Sequence, residues 1–464
     1  MRWKNIQGWR ILKESMIPGK WGGNTKEERE AGEHMEPMKK GHHRLEVMSH
    51  YYGKRIQQDM SNFVKWILLA LLIGGVVGGA SSLFAGCLSW VTQFRADRPA
   101  VVLLLPFGGL LIVFLYQKIG KEDRGTNQVL STIRSQDEVP LRSAPLIFIA
   151  TALTHLLGGS AGREGAAIQL GGSIGNQLGR WIHLDEEDRH VIVMCGMSAA
   201  FSAVFGTPMA AAVFAMEVVS VGVMYYAALL PCVVASLVAY DFAGSFGIHP
   251  ENFHVTGIPA FSMENGIKMG IIAVGCGAVS ILFCLLLEYV SKGYDKWLKN
   301  PYLRVFAAGC LVVVLYWILG TDRYMGAGNQ LIEQAVEHGQ TQTFDFFWKM
   351  LLTALAMRAG FRGGEIVPSF AIGATFGCLA GQIMGFSPSL SAAAGMTAVF
   401  CGVTNCPVTS ILIAFELFGF QGVSYYLLAV AVSYAVSGYY GLYKDQTIVY
   451  SKYKAKYVNR HTKT

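Results

Sequence analysis

Residues 162–165 read Gly-Arg-Glu-Gly, and an apolar run, Ala-Ala-Ile-Gln-Leu-Gly, follows at residues 166–171. The flanking glycines free the backbone to turn several N–H groups toward one point, and a carboxylate at such a helix N-terminus occupies the place that an external anion would take. Residues 363–368, Gly-Gly-Glu-Ile-Val-Pro, repeat this design. Since an ionisable side chain within apolar membrane sequence marks a functional site, Glu164 and Glu365 are the first candidates.

These two glutamates belong to an internal repeat with offsets of 202, 201 and 199 residues. Three landmarks recur in the same order: Asn127-Gln128 with Asn329-Gln330, Glu164 with Glu365, and the span from Pro208 to Glu217 with that from Pro407 to Glu416. Collinear matches of this kind predict two homologous halves and set the architecture. We expect a leader at 1–62, a first membrane repeat at 63–247, a linker at 248–262, a second membrane repeat at 263–443 and a short basic tail at 444–464.

The composition indicates a membrane protein. Of the 464 residues, 52% are hydrophobic and 15% are charged, and the mean hydropathy is +0.38, values that exclude a soluble chain of this length. The 53 glycines have no period of three, which excludes collagen, and they favour transmembrane helices that approach closely. Several apolar stretches are shorter than a clean crossing of about 20 residues and are broken by Gly, Pro or a charge. Because broken helices are tolerated where the freed backbone lines a cavity, the pattern predicts an ion or substrate path.

Duplicated halves with interrupted helices are the architecture of secondary transporters. In these proteins the half-helix N-termini converge near the midplane and direct their positive dipole ends at an anion. We therefore expect an all-α polytopic fold of tilted and broken helices. We expect the repeat to be inverted, because the interrupted helices stand in corresponding places of both halves.

The charges bear on topology and partners. The net charge is +7, and basic residues concentrate at both ends of the chain. By the positive-inside rule both termini lie in the cytoplasm, which implies an even number of crossings of the cell membrane. The basic ends fit attraction to lipid headgroups better than binding of nucleic acid. The first long apolar run begins near Phe63 with no cleavage site after it, so the leader is not a secretory signal.

Enzyme, metal and cofactor chemistry are not indicated. The pattern Gly-x-Ser-x-Gly occurs at 158–162 and at 171–175, but neither copy follows a strand, and the pattern is frequent by chance in so glycine-rich a chain. The nine cysteines lack any Cys-x-x-Cys pair and lie in apolar sequence. They therefore predict small core residues rather than a metal site or a disulfide framework.

Three further residues have simpler interpretations. Glu217 and Glu416 end symmetrical helices, and we predict that both accept hydrogen bonds at helix ends rather than carry protons. Tyr450 follows the last apolar span. It is typical either of an aromatic residue at the membrane interface or of an anion ligand, and both interpretations stand.

On these motifs the sequence resembles the CLC family of anion channels and proton-coupled anion antiporters, over residues 63–451. Residues 162–165 look like the signature that bears the gating glutamate of the family, and residues 363–368 look like the second-half signature Gly-x-Phe-x-Pro. The resemblance implies a CLC-type homodimer with one pathway in each subunit. It also implies anion-binding residues around the two glutamates, which map onto Thr126, Asn127, Gly162, Arg163, Gly165, Gly364, Ile366, Val367 and Tyr450.

Departures from the family pattern indicate the branch. The serine ligand of chloride-handling members maps to Thr126, and Ala166 stands where those members have proline. The second signature has Glu365 and Ile366, which adds a carboxylate, and the internal proton glutamate of the chloride/proton antiporters is Val218 here. Together these features look like the bacterial fluoride/proton antiporter branch, which lacks the internal glutamate and has a glutamate at the position of Glu365.

The resemblance therefore implies a secondary active antiporter that exports fluoride in exchange for protons and gives fluoride resistance. Protonated Glu164 leaves the pathway and admits fluoride, deprotonated Glu164 competes for the site, and Glu365 passes the proton or holds it near the anion. The alternatives are a chloride/proton antiporter and a passive chloride channel of the same family. No nucleotide is expected, because the tail at 444–464 leaves no room for the nucleotide-binding domains of some relatives.

Overall fold

A computed structural model describes residues 40–120, 123–134, 139–248, 251–454 and 456–463, with side chains from residue 54 onward. The expected leader lies outside this description up to residue 39. The chain divides into two compact units, residues 1–65 and 66–464. The described part of the first unit is helical. The site and its surroundings belong to the second unit.

Within the described residues the chain forms sixteen α-helices, eight in each half. The first eight are α1 (Lys40–Asp97), α2 (Leu105–Ile119), α3 (Thr126–Thr132), α4 (Ser143–Leu156), α5 (Glu164–Trp181), α6 (Glu186–Phe205), α7 (Pro208–Glu217) and α8 (Leu229–Ser245). The second eight are α9 (Met263–Trp297), α10 (Pro301–Leu319), α11 (Asn329–Val336), α12 (Asp345–Ala359), α13 (Ile366–Ile383), α14 (Pro388–Thr404), α15 (Pro407–Phe418) and α16 (Val423–Val436). The helices of the second half come in the same order along the chain as their counterparts in the first half.

The helices differ in length in the way that the broken apolar stretches predict. Six segments are long and apolar enough to cross a membrane: Lys54–Asp97, Pro99–Ile119, Tyr226–Ser245, Met263–Trp297, Pro301–Leu319 and Ile366–Ile383. Several others are shorter, such as α7 with 10 residues and α15 with 12, and both begin at a proline. Proline suits the first turn of a helix because its missing N–H has no helical partner there. The chain is a multi-pass membrane protein, and the helical class is confirmed.

A reciprocal pair of helix caps joins the two halves. Glu217 at the end of α7 accepts hydrogen bonds from two backbone N–H groups at the start of α15, at 3.0 and 2.8 Å. Glu416 near the end of α15 accepts two from the start of α7, at 2.8 and 2.9 Å. Each carboxylate satisfies N–H groups that lack a helical partner. The prediction that both glutamates bind at helix ends is confirmed, and this exchange follows from the two-fold relation of an inverted repeat.

Glycines bring two helix pairs into backbone contact. A Cβ on Gly171 of α5 would lie 2.1 Å from the carbonyl oxygen of Gly196 in α6. In the second half, a Cβ on Gly373 of α13 would lie 2.4 Å from the carbonyl oxygen of Gly395 in α14. Small residues permit this close packing of membrane helices. The Gly-x-Ser-x-Gly copy at 171–175 is therefore a packing surface inside a helix.

Phenyl rings from both halves form a common centre. Phe205 at the end of α6 stacks on Phe370 of α13, with ring centroids 5.3 Å apart. Phe400 of α14 contacts Phe370 at 4.9 Å and Phe214 of α7 at 6.1 Å. All four rings are buried. Because aromatic pairs bury large apolar areas, the two halves share one core, which includes Phe370 near the start of α13.

The chain after α16 returns to the helical body as a small sheet. β1 (Ser220–Val221) pairs in parallel with β2 (Thr447–Tyr450), which pairs antiparallel with β3 (Tyr457–His461). The amine of Lys452 donates to the carbonyl oxygen of Tyr434 (3.1 Å) and lies 4.1 Å above its ring. Burial lowers the pKa of Lys452 to about 8, so the amine is protonated at neutral pH and keeps these contacts. This sheet is an addition to the all-α expectation.

Candidate functional site

The two signature loops bind each other directly. The N–H of Gly162 donates to the carbonyl oxygen of Gly364 (2.7 Å), and the N–H of Gly364 donates to the carbonyl oxygen of Gly162 (2.8 Å). This antiparallel bridge joins the loop before α5 to the loop before α13. Both helices therefore begin within two residues of one junction. Their N-termini carry free N–H groups and positive dipole ends, which favour an anion nearby.

Glycine is required at this junction because the two backbones touch. A Cβ on Gly364 would lie 2.6 Å from the backbone nitrogen of Gly165, and a Cβ on Gly363 would lie 2.8 Å from the carbonyl oxygen of Gly162. Backbone atoms cannot yield as the end of a flexible side chain can. Any side chain at these positions would separate the loops and displace the helix starts that they carry.

Glu164 is the first residue of α5, and its side chain is fully buried. One carboxylate oxygen accepts a hydrogen bond from the backbone N–H of Arg163 (3.1 Å), and the other lies 3.4 Å from the Arg163 Nε. The carboxylate is thus folded back at the helix N-terminus, where the dipole stabilises negative charge. The protein's own carboxylate fills a position suited to an anion.

Glu365 comes immediately before α13 and is less deeply placed, with 20% of its side chain exposed. Its carboxylate lies 3.6 Å from the Nη2 of Arg358. Ile366 and Val367 follow it as the first residues of α13, and both are buried. The guanidinium of Arg362 does not join this pair but stacks over a tyrosine ring at 3.8 Å. Each glutamate of the repeat therefore has its own arginine partner.

Thr126 and Asn127, the two expected anion-binding residues in α3, differ in position, and only Thr126 contacts the junction. The hydroxyl of Thr126 donates to the carbonyl oxygen of Gly165 (3.2 Å), so α3 reaches the first signature loop. The side-chain oxygen of Asn127 instead accepts the backbone N–H of Asp445 in the tail (3.4 Å). Thr126 thus joins the site directly, while Asn127 fastens the tail beside it.

The structure places Tyr450 at the surface, at the end of β2. Its side chain is 49% exposed at the end of β2, and its ring packs against Tyr457 of β3. Tyr443, by contrast, is buried, with 4% of its surface exposed, and its phenol interacts electrostatically with Glu365 and Glu164. The reason is that the chain enters the core immediately after α16 and has returned to the surface by residue 450. The signal that would have found Tyr443 is its position directly after the last span.

We expect Tyr443→Phe to lower the rate of anion transport about tenfold, because it removes one buried hydroxyl that can donate to a charged group. Tyr450→Phe removes a surface hydroxyl and is expected to leave the rate within about twofold of the wild-type value. The measurement is the initial rate of anion efflux from proteoliposomes that contain equal amounts of each protein. An equal loss in both variants would contradict this placement.

A cleft of about 850 Å³ opens beside Arg163. It is bordered by the ends of α1 and α10, by the segment 320–330 and by the start of α11. Three arginines line it, Arg95, Arg163 and Arg323, against one aspartate, Asp322. A cleft with an excess of positive charge concentrates anions near its walls.

The position after Glu217 holds no carboxylate, because it is Val218. Its carbonyl oxygen accepts a hydrogen bond from the side-chain amide of Gln446 (2.9 Å), a buried tail residue that also donates to Thr404 (2.7 Å). A neutral amide therefore packs against this position.

Comparison with known proteins gives a consistent result. Residues 108–438 match the family model of the voltage gated chloride channel. A chloride/fluoride channel protein of Pseudomonas syringae pv. tomato is 36% identical over 408 residues, which cover 86% of this chain and 90% of the relative. The H(+)/Cl(-) exchange transporter ClcA of Vibrio cholerae is 24% identical over 382 residues, 76% of this chain and 81% of the relative.

Solved structures show the same fold. A CLC-type fluoride/proton antiporter matches with a TM-score of 0.79 and 32% identity, over 83% of this chain and 98% of the other. A slow cyanobacterial Cl⁻/H⁺ antiporter matches with a TM-score of 0.71 and 18% identity, over 80% of this chain and 94% of the other. The second likeness concerns the fold alone. The first extends along nearly the whole of the other chain.

Proposed function

Because the chain belongs to the voltage-gated chloride channel family and is a multi-pass transporter of that family, we propose that it exports fluoride in exchange for protons. The observation that carries the proposal is the bridge between the two signature loops, which brings Glu164 and Glu365 to adjoining helix N-termini. The carboxylate of Glu164 at an anion site provides a gate, and the carboxylate of Glu365 provides a second group that can bind the proton. The chloride/fluoride name of the Pseudomonas relative and the fold of the fluoride/proton antiporter support this choice of ion.

In this proposal the two glutamates face opposite sides of the membrane. With both termini in the cytoplasm, α1 crosses outward and its counterpart α9 crosses inward. The cleft beside Arg163 then opens to the outside, and the Arg358–Glu365 pair faces the cytoplasm. Glu164 is the outer gate, and Glu365 is the carboxylate on the inner side of the same junction.

The chemistry of the site suits fluoride. Fluoride is small and strongly hydrated, so a site that selects it must replace water with close N–H and O–H donors. The two helix N-termini supply N–H groups, and the hydroxyl of Thr126 lies against Gly165 at the same junction. Each such donor compensates part of the lost hydration, whereas a wide apolar cage would favour a larger anion.

The transport cycle follows from competition at one position. Deprotonated Glu164 fills the N-terminus of α5 and excludes the anion, as in the observed geometry. A proton from outside neutralises the carboxylate, which then leaves the position to fluoride coming from the cytoplasm. Glu365 passes the proton inward or holds it beside the anion. The inward proton gradient thereby drives fluoride out.

The division into repeats at 63–247 and 263–443, with the leader, linker and tail around them, belongs to the same proposal. So does a homodimer with one pathway in each subunit. The partners are fluoride, protons, the lipid bilayer and a second copy of the chain.

Chloride is the second candidate ion, and the name of the Vibrio relative favours it. Val218 argues against a chloride/proton antiporter, because that branch uses a glutamate at this position. A passive chloride channel of the same fold would need no second carboxylate at the junction. Glu365 therefore favours coupled transport over a channel.

The choice between fluoride and chloride is tested with purified protein in liposomes that contain equal concentrations of the two anions. We expect ion-selective electrodes to record fluoride efflux at least about tenfold faster than chloride efflux, because a site built of close donors discriminates by the hydration of the ion. Protein-free liposomes are the control for leakage. Chloride efflux as fast as fluoride efflux would reject fluoride as the selected ion and retain the family.

A further inference from the structure

The carboxylate of Glu251, in the linker between the two halves, contacts the first signature loop. Glu251 accepts a hydrogen bond from the Nη2 of Arg163 (2.8 Å) and another from the side-chain amide of Asn329 (2.8 Å), both on its Oε1. The exposed fractions are 20% for the Glu251 side chain and 18% for that of Arg163. Glu251 lies outside every motif of the sequence. It contacts Arg163 of the first signature loop and Asn329 of the repeated Asn-Gln pair.

Arg163 therefore stands between two carboxylates. Its Nη2 bonds Glu251 at 2.8 Å, while its Nε lies 3.4 Å from Glu164, so the shorter contact is with the linker. Asn329 begins α11 and lines the cleft together with Arg163. A single oxygen of Glu251 thus connects the linker, the first half and the second half at the mouth of the cleft.

The consequence appears when Glu164 becomes protonated and leaves. If Glu251 were absent, Glu164 would be the only carboxylate partner of Arg163 among the described contacts. The departure of Glu164 would then leave the guanidinium unpaired. A guanidinium without a partner would bind a passing anion with its full charge or move out of place. With Glu251, it stays at the cleft and its charge is partly compensated.

We propose that Glu251 is a positioning residue of the transport cycle: it holds Arg163 in place while Glu164 is away and weakens the grip of Arg163 on the anion. The inference rests on the proposed function for the role of Glu164 as gate. The other charged and titratable groups that line the cleft with Arg163 come from other elements: Arg95 of α1, His155 of α4, and Asp322 and Arg323 of the segment 320–330.

Glu251→Gln tests the proposal, since it keeps the length of the side chain and removes its charge. We expect the KM for the transported anion to fall about threefold to fivefold, the range of a partly exposed ion pair, and the maximal rate to fall as release slows. The pH of half-maximal rate should move to lower pH. In this variant Arg163 has Glu164 as its sole carboxylate partner. A lower pH is therefore needed to protonate Glu164 and release it from Arg163.

Glu264→Gln is the matched control. Glu264 lies in the first turn of α9, two residues after the linker. Its side chain is 78% exposed, and it pairs with Lys268 on the same helix (2.9 Å). We expect its KM and pH profile to equal those of the wild type. Glu251→Asp keeps the charge but shortens the reach to both partners, so its KM should lie between those of the wild type and Glu251→Gln.

All variants are assayed in proteoliposomes after size-exclusion chromatography, on whichever anion the wild type moves. A KM and pH profile of Glu251→Gln equal to those of Glu264→Gln overturn the proposal. A lower rate with unchanged KM also overturns it, because that is the effect of a merely structural contact. If Glu251→Gln does not fold, an unchanged KM in Glu251→Asp has the same meaning. A wild type that prefers chloride rejects the fluoride proposal and leaves this test intact.

Discussion

The Glu164→Gln protein is expected to move anions without moving protons. Glutamine has nearly the shape of protonated glutamate and no charge, so it leaves the N-terminus of α5 open to the anion as protonated Glu164 does. It does not titrate, so the gate can no longer exchange a proton for an anion. Proton flux should fall by at least about 100-fold, within the range that one positioned acid–base group contributes. Fluoride and pH electrodes in one vesicle suspension record both fluxes together.

Glu217→Gln is the control for this result. Glu217 is also buried, but its carboxylate is occupied by the start of α15. We expect this variant to lose some thermal stability and to keep the ratio of protons to anions unchanged. Proton-coupled flux that persists in Glu164→Gln at the wild-type ratio would contradict the role of Glu164. Loss of coupling in Glu217→Gln would mean that a cap residue carries protons.

Gly364→Ala has the second largest expected effect. Its added Cβ would lie 2.6 Å from the backbone nitrogen of Gly165, so the two signature loops must separate. A shift of about 1 Å in a positioned site costs on the order of 100-fold in rate, and we expect transport to fall by at least about that factor. The rate of fluoride efflux from proteoliposomes measures it.

Gly270→Ala is the matched control for this substitution. Gly270 lies within α9, and an added Cβ there meets nothing within 4 Å. Alanine stabilises a helix interior by about 1 kcal/mol relative to glycine, so this variant should fold and transport like the wild type. A Gly364→Ala rate within about twofold of the Gly270→Ala rate would show that the bridge between the loops is not needed.

Much of this architecture was predictable because it depends on local chemistry that repeats. The glutamates at 164 and 365 stand beside glycines at an offset of 201 residues, close to the offset of 199 for the Pro-to-Glu segments, and such matches require no knowledge of distant contacts. The helix caps of Glu217 and Glu416 follow from the same symmetry. Apolar stretches of unequal length indicated the mixture of long and short helices. These features reside in short windows of sequence.

The remaining features depend on contacts between distant parts of the chain. Glu251 reaches Arg163 and Asn329 across separations of 88 and 78 residues, and no pattern within the linker distinguishes it from other carboxylates. The place of Tyr450 depends on contacts of the same kind, because β2 pairs with β3 and the Tyr450 ring packs against Tyr457. The packing of the tail decides which of its tyrosines is buried: Tyr443 is 4% exposed and Tyr450 is 49% exposed.

Uphill movement of protons tests the central claim most directly. Wild-type protein is placed in liposomes with high internal fluoride, equal pH on both sides and the membrane potential clamped to zero. We expect fluoride efflux to drive protons inward, so that the interior becomes more acidic than the outside, and a protonophore should abolish the difference. Fluoride efflux with no change in internal pH would contradict coupled antiport and identify a passive channel.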